Sequence, residues 1–169
     1  MIEIEIPEHI GVAALERAGA TKWKEDNLSK QLEVPFNIRM AAAGFVGEHA
    51  FQSWCKTAKY VGHKDYDFLN KGFRLDVKSR TASMIPKPHH DHALPERDRE
   101  QLCHALVFAS IRKDFRVAWL AGWAWKQEFF EKLAVYLPAG TEKIRDDGTI
   151  LKLKTGNYEV TYSKLRGFN

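Results

Sequence analysis

The sequence predicts an α/β fold in which helices flank a central mixed β-sheet. Three observations carry that expectation. A long helical stretch, "AAAGFVGEHAFQSWCKTAKYVG", precedes two alternating segments, "DYDFL" and "FRLDVKS", that read as a strand hairpin. Two apolar runs, "HALVFASI" and "RVAWLAGWAW", then read as buried strands. Finally, "KQEFFEKLA" returns to helical character, so the order is helix, hairpin, loop, two strands, helix.

Composition sets the outer limits. The 169 residues are 44% hydrophobic and 28% charged, enough for one globular domain with a genuine core. That domain is expected over residues 1–169, with its core at about 44–135, a strand and helix extension at 1–40, and C-terminal strands at 148–165. No apolar run reaches the roughly 18 residues that cross a bilayer. The start, "MIEIEIPEHI", lacks the basic-then-apolar pattern of a secretory signal, so a cytoplasmic protein without a membrane partner is expected. Cys55 and Cys103 lie in apolar surroundings and read as reduced core thiols. A net charge of +4 and a pI near 9.0 lean towards a polyanionic partner without identifying one.

In chain order, "IEIEI" alternates with period two and suits a short strand stopped at Pro7. "EHIGVAALERAG" suits a short helix ended near Gly19, whereas residues 20–40 carry mixed charges and Pro35 and yield no assignment. The main helix is predicted at roughly 42–60, with Phe51, Trp54, Cys55 and Ala58 on its core side. In the second hairpin strand Phe73, Leu75 and Val77 point one way and Arg74, Asp76, Lys78 and Arg80 the other. Residues 83–100 hold three of the six prolines and three histidines, and read as a long loop ending in a helical turn. The tail supplies "TILKLK" and "YEVTYSKL", strand-like segments around a Gly-Asn turn.

The register of the hairpin follows from its alternation. Placing Tyr66 and Phe68 on the face of Leu75 and Val77 makes one apolar surface and asks for a loop of about four residues. It also sets Asp67 opposite Asp76 and Asp65 opposite Lys78. Facing carboxylates repel each other unless a cation lies between them. Glu48 shares a stripe with Phe51 and Cys55 at i, i+3, i+7, and a carboxylate at the margin of a core needs a partner. Three such oxygen donors suit Mg²⁺, which takes few protein carboxylates and keeps water or phosphate on its other sites.

On these residues the chain resembles the PD-(D/E)XK, or restriction-endonuclease-like, nuclease superfamily. The matching elements are Glu48 in "GFVGEHAF", Asp67 in "DYDF", and Asp76 with Lys78 in "RLDVKSR". The resemblance implies a restriction-endonuclease-like core and a metal-dependent DNA endonuclease that hydrolyses phosphodiester bonds, commonly as a homodimer. It implies Glu48, Asp67, Asp76 and Lys78 as catalytic residues. Glu48, Asp67, Asp76 and the Val77 carbonyl would hold Mg²⁺, with Mn²⁺ as a substitute. Arg74 and Arg80 would clamp phosphate, and Gln101 would stand for the glutamine that some relatives carry after the lysine. The proline of the family name is absent, since Tyr66 precedes Asp67, and Asp65 competes as the first acid. Other readings are a non-catalytic DNA-binding or assembly protein of this fold, and an RNA-processing or Holliday-junction nuclease.

Taken alone, Asp76 and Lys78 read as a solvated pair; Glu48 and the acid-on-acid register turn them into a site. His89, His90 and His92 lack the cysteine or spaced histidine pair of a zinc centre, so a solvated or substrate-contacting loop is preferred. Lys87, Arg97 and Arg99 suit either a solvated loop or a DNA backbone. Trp119, Trp123 and Trp125 read as core.

Overall fold

The computed structural model describes residues 1–19, 34–144 and 148–168. Strand β1 (Ile2–Glu5) and helix α1 (Glu8–Arg17) form as the sequence predicts, with Pro7 at the helix N-cap. Helix α2 (Phe36–Trp54) likewise starts directly after a proline, Pro35. It ends earlier than the predicted residue 60: Cys55 leaves helical geometry at φ −93°, ψ 79°, and Lys59–His63 forms strand β2. The aromatic and β-branched residues of "KYVGH" favour a strand once β3 (Tyr66–Asn70) offers pairing, with Lys59 opposite Leu69 and Tyr60 opposite Phe68. Cys55 and Ala58 therefore lie beyond the helix rather than on its stripe.

Strand β4 (Phe73–Ala82) returns from β3 through Lys71 and Gly72. Both have positive φ, 48° and 86°, as a two-residue type I′ turn requires. The turn is shorter than the expected four residues, yet Phe68 pairs Leu75 and Leu69 pairs Arg74, so the register is the expected one. Next come β5 (Asp91–Pro95), a 3₁₀ turn (Glu96–Glu100), β6 (Ala105–Arg112) and β7 (Val117–Trp125). Helix α3 (Lys126–Glu128) runs into a π turn (Phe129–Leu133), followed by β8 (Val135–Leu137), β9 (Glu142–Ile144), β10 (Ile150–Lys152) and β11 (Asn157–Thr161).

The central sheet has the order β1-β7-β6-β4-β3-β2 and is mixed, because β4 and β6 run parallel while the other pairs are antiparallel. Alternate residues of β6 feed two separate cores. Val107, Ala109 and Ile111 join Leu15, Val46, Phe51 and Phe68 under the helices. Leu106 and Phe108 join Leu94, Phe129, Tyr158 and Val160 on the opposite face. That opposite face is covered by a three-stranded sheet, β5-β11-β8, and the π turn, where sequence predicts helices on both faces.

Two further expectations are corrected here. The proline-rich stretch 83–100 ends in a helical turn as predicted, but it also contains β5, in which His92 and Leu94 face inward between exposed neighbours. The tail segments do not pair with each other. Tyr158 and Val160 of β11 point into the core between β5 and β8, whereas all of β10 is exposed and pairs with β9. Both cysteines are free thiols, and no described helix is long and apolar enough to cross a membrane.

One glycine sets the approach of helix to sheet. A Cβ at Gly47 would lie 1.9 Å from Ser79 Oγ, so α2 rests its backbone directly on β4. Glu48, the next residue, is thereby carried to the hairpin.

Candidate functional site

The pleat of β4 presents Arg74, Asp76, Lys78 and Arg80 away from the helices, as expected. Asp76 is buried, only 6% exposed. One step beyond the Phe68–Leu75 pair, the hairpin register sets Asp67 against Asp76. The backbone ladder has stopped there, and Asp67 Oδ2 instead accepts the Val77 N–H at 2.7 Å. The N–H and C=O of a strand residue project to one edge, so the Val77 carbonyl faces the same opening. Asp65 lies apart, 3.7 Å from His63 Nδ1, and the expected Asp65–Lys78 pairing does not form, because β3 begins only at Tyr66.

Lys78 turns elsewhere. Its ammonium meets Asp76 Oδ2 at 2.7 Å and Asp98 Oδ2 at 2.8 Å, and donates to Gln101 Oε1 at 2.8 Å. Burial disfavours that charge, but Asp76 and Asp98 outweigh it and hold the lysine protonated. Gln101 is thus brought to the lysine. Asp98, buried in the 3₁₀ turn, is the member that sequence reasoning missed: "ERDRE" reads as a solvated charge run.

The acids are crowded. Burial first, then the negative charge of Asp76, pushes the Asp67 carboxyl up to about 8, with Glu48 adding to the rise and the Val77 N–H opposing it. Burial also raises Glu48, opposed by a hydrogen bond with Tyr60 and by the charge of Arg17, and raised further by Asp76. Tyr60 was not anticipated either; its signal would have been β2 itself. Asp76 Oδ2 is buried and, beyond the Lys78 contact, has no aligned hydrogen bond.

These features fit a hydrated divalent cation. Asp67 has no cation to offset its burial, Asp76 shares the Lys78 ammonium with Asp98, and Glu48 is close enough to be felt by both. Among the described residues, no three His, Cys, Asp or Glu side chains form a ready-made cage. Mg²⁺ does not require one, since one or two carboxylates with retained water suffice.

The two arginines are engaged within the protein. The Arg74 guanidinium reaches His104 Nε2 at 3.2 Å and lies 5.8 Å from the Tyr66 ring centre. Arg80 donates to the Asp91 carbonyl and ties β4 to β5. Beside the lysine network opens a cleft of about 440 Å³, lined by Lys64, Asp65, Arg97, Asp98, Glu100 and Gln101. Arg99 reaches away from it to the Tyr158 hydroxyl at 3.2 Å.

The histidine segment divides: His89 lies exposed in the loop as expected, whereas His92 does not. His92 is 2% exposed, packs edge-on against Phe108 and sits 3.2 Å from the Tyr162 hydroxyl. Its burial, with Arg80 and Lys78 nearby, pulls its pKa down to about 3, so it is a neutral core histidine. Trp119 is core, with its indole N–H donating to Glu3. Trp123 and Trp125 instead border an open apolar groove of about 200 Å³ with Trp54, Phe73 and Phe168.

No protein-family model matches the chain, and no curated protein is significantly similar to it.

Proposed function

We propose that this protein is a divalent-cation-dependent nuclease of the PD-(D/E)XK type, acting on DNA in the cytoplasm. The observation that carries the reading is the buried Asp67–Asp76 pair, with Lys78 two residues along the same strand and Glu48 delivered by the helix packed on it. No stability argument calls for two carboxyls side by side in a protein interior with one ammonium, shared with Asp98, to offset them.

Asp67, Asp76 and the Val77 carbonyl would hold Mg²⁺, with Glu48 binding directly or through water and Mn²⁺ serving as a substitute. When bound, such an ion supplies Lewis-acid polarisation of the scissile phosphate and a water acidified towards neutral pH. Asp67 is set by the Val77 N–H, which fixes the orientation of its carboxylate. Lys78 contributes an ammonium that orients the attacking water or stabilises charge growing on the phosphoryl oxygens. Arg74 and Arg80 would reach phosphate only after leaving His104 and the Asp91 carbonyl. A homodimer would place two such sites on the strands of one duplex.

The test is a cleavage panel of plasmid, branched and single-stranded DNA and of RNA, with Mg²⁺, Mn²⁺ or chelator. Chelator-sensitive DNA cleavage is expected. Absence of cleavage on every substrate overturns the catalytic reading in favour of a binding protein, and cleavage of RNA alone reassigns the substrate.

A further inference from the structure

The Lys78 ammonium has three donors, and three acceptors already surround it: Asp76, Asp98 and Gln101. One of these is the oxygen a cation would need. Asp76 Oδ2 is buried, without an aligned hydrogen bond, and is screened by the lysine alone. The other two acceptors come from a different element, the 3₁₀ turn and the residue after it, which also line the open cleft. Lys126 anchors that element by donating to the Gln101 carbonyl.

We infer that Lys78 and a divalent cation compete for Asp76, and that Asp98, with Gln101, is the positioning residue that holds the lysine when Asp76 releases it. The inference rests on the proposed metal site and adds a function for the 3₁₀ turn. Lys78 lies against the carboxylate oxygen that a cation would take. Once Asp76 turns to the ion, two acceptors remain for the ammonium, and one donor is freed towards the cleft. Asp98 therefore matters twice. It lowers the cost of taking Lys78 off Asp76, and it keeps the ammonium beside the reacting phosphate instead of in solvent.

The test measures Mg²⁺ alone, without nucleic acid, by titration calorimetry on the full chain. Lys78→Met removes the competitor and should tighten Mg²⁺ binding by about tenfold. Asp98→Asn removes the second anchor, throws Lys78 onto Asp76, and should weaken binding by roughly three- to tenfold. Loss of any nearby negative charge also weakens a cation site, so the deciding measurement is the double variant. Adding Asp98→Asn to Lys78→Met should change the affinity far less than adding it to the wild type, because Asp98 acts through the lysine. In cleavage assays Asp98→Asn should lower kcat with little change in KM, and Asp98→Glu should recover part of the loss.

Equal Mg²⁺ affinities in wild type and Lys78→Met overturn the competition. An Asp98→Asn effect of equal size in both backgrounds overturns the positioning role. Either result leaves the nuclease reading standing, whereas a wild-type protein that binds no Mg²⁺ overturns that reading and this one together.

Discussion

The two faces of the central sheet are built from the same strands and solve different problems. The helix face is mainly apolar: Phe68, Val77, Val107 and Ala109 meet Ala42, Ala43, Val46 and Phe51. The face under the β5-β11-β8 sheet holds an aromatic cluster of similar quality around Phe108 and Phe129. Yet it also carries the buried polar and charged residues of the described chain, Asp76, His92, Asp98 and Ser110. Ser110 and His92 both lie within reach of the Tyr162 hydroxyl, at 2.7 and 3.2 Å, a set of hydrogen bonds that any core can absorb. Asp76 and Asp98 are different. Each sits in low dielectric around one lysine, and such charges are seldom favourable to stability. One face is built to hold the fold together, and the other gives up stability around β4.

That contrast predicts opposite phenotypes. On the polar face, Asp76→Ala and Lys78→Ala should each cut DNA cleavage by on the order of 10³-fold or more while leaving DNA binding largely intact. Wild-type cleavage in either variant would sink the site assignment. On the apolar face, Phe68→Ala empties a fully buried aromatic position packed on Phe51 and Tyr60, and should cost about 3–5 kcal/mol in urea denaturation. Residual cleavage per folded molecule should stay near normal there. A Phe68 variant that folds well but cannot cleave would erase the distinction between the faces.

Gly47 joins the two regions, and its effect is smaller. Gly47→Ala drives a methyl group against Ser79 Oγ, a hydroxyl already buried without a partner. Some of the overlap can be relieved by rotating Ser79, so destabilisation of about 1–3 kcal/mol is expected. Because Glu48 rides on the same turn of helix, cleavage should fall beyond what the stability change explains. The double variant with Ser79→Ala should recover much of the stability. No recovery would mean the helix is held off β4 by something else.

How far the sequence could be read follows the range of each interaction. The hairpin register was legible because a strand alternates with period two, and a one-residue slip would have mixed its faces. The pairing of Asp67 with Asp76, and the place of Lys78 on the same face, came from that same local pattern, whereas Glu48 came from the spacing of the helical stripe. The end of α2 was not legible: nothing in "SWCKTAKYV" stops a helix, and only pairing with β3 draws Lys59–His63 into a strand. Strand β5 was hidden between prolines and histidines, since its partner β11 lies more than sixty residues away along the chain. Asp98 escaped for the same reason. A carboxylate in a charged run looks solvated until a distant lysine is brought to it.

The smallest effect is the most specific to the acid pair. In the metal-free protein Asp67 has its pKa raised to about 8 from an unfolded value near 3.8, so the native state binds the proton more tightly than the unfolded chain. Its contribution is fully present below pH 3.8 and is lost as pH rises towards 8. Glu48, also raised, acts in the same direction. His92 acts the opposite way. Its pKa falls from 6.5 to about 3, so its contribution is complete above pH 6.5 and fades only as pH drops below that. The window from pH 6.5 to 8.5 therefore isolates the carboxyls. Across it, metal-free protein should lose on the order of 1–2 kcal/mol of stability in urea melts. Asp67→Asn should flatten most of that slope, and Mg²⁺ should reverse it in the wild type but not in the variant. A wild-type slope of zero across this window would mean that the Asp67 carboxyl is solvated after all. The polar face of β4 would then be an ordinary surface.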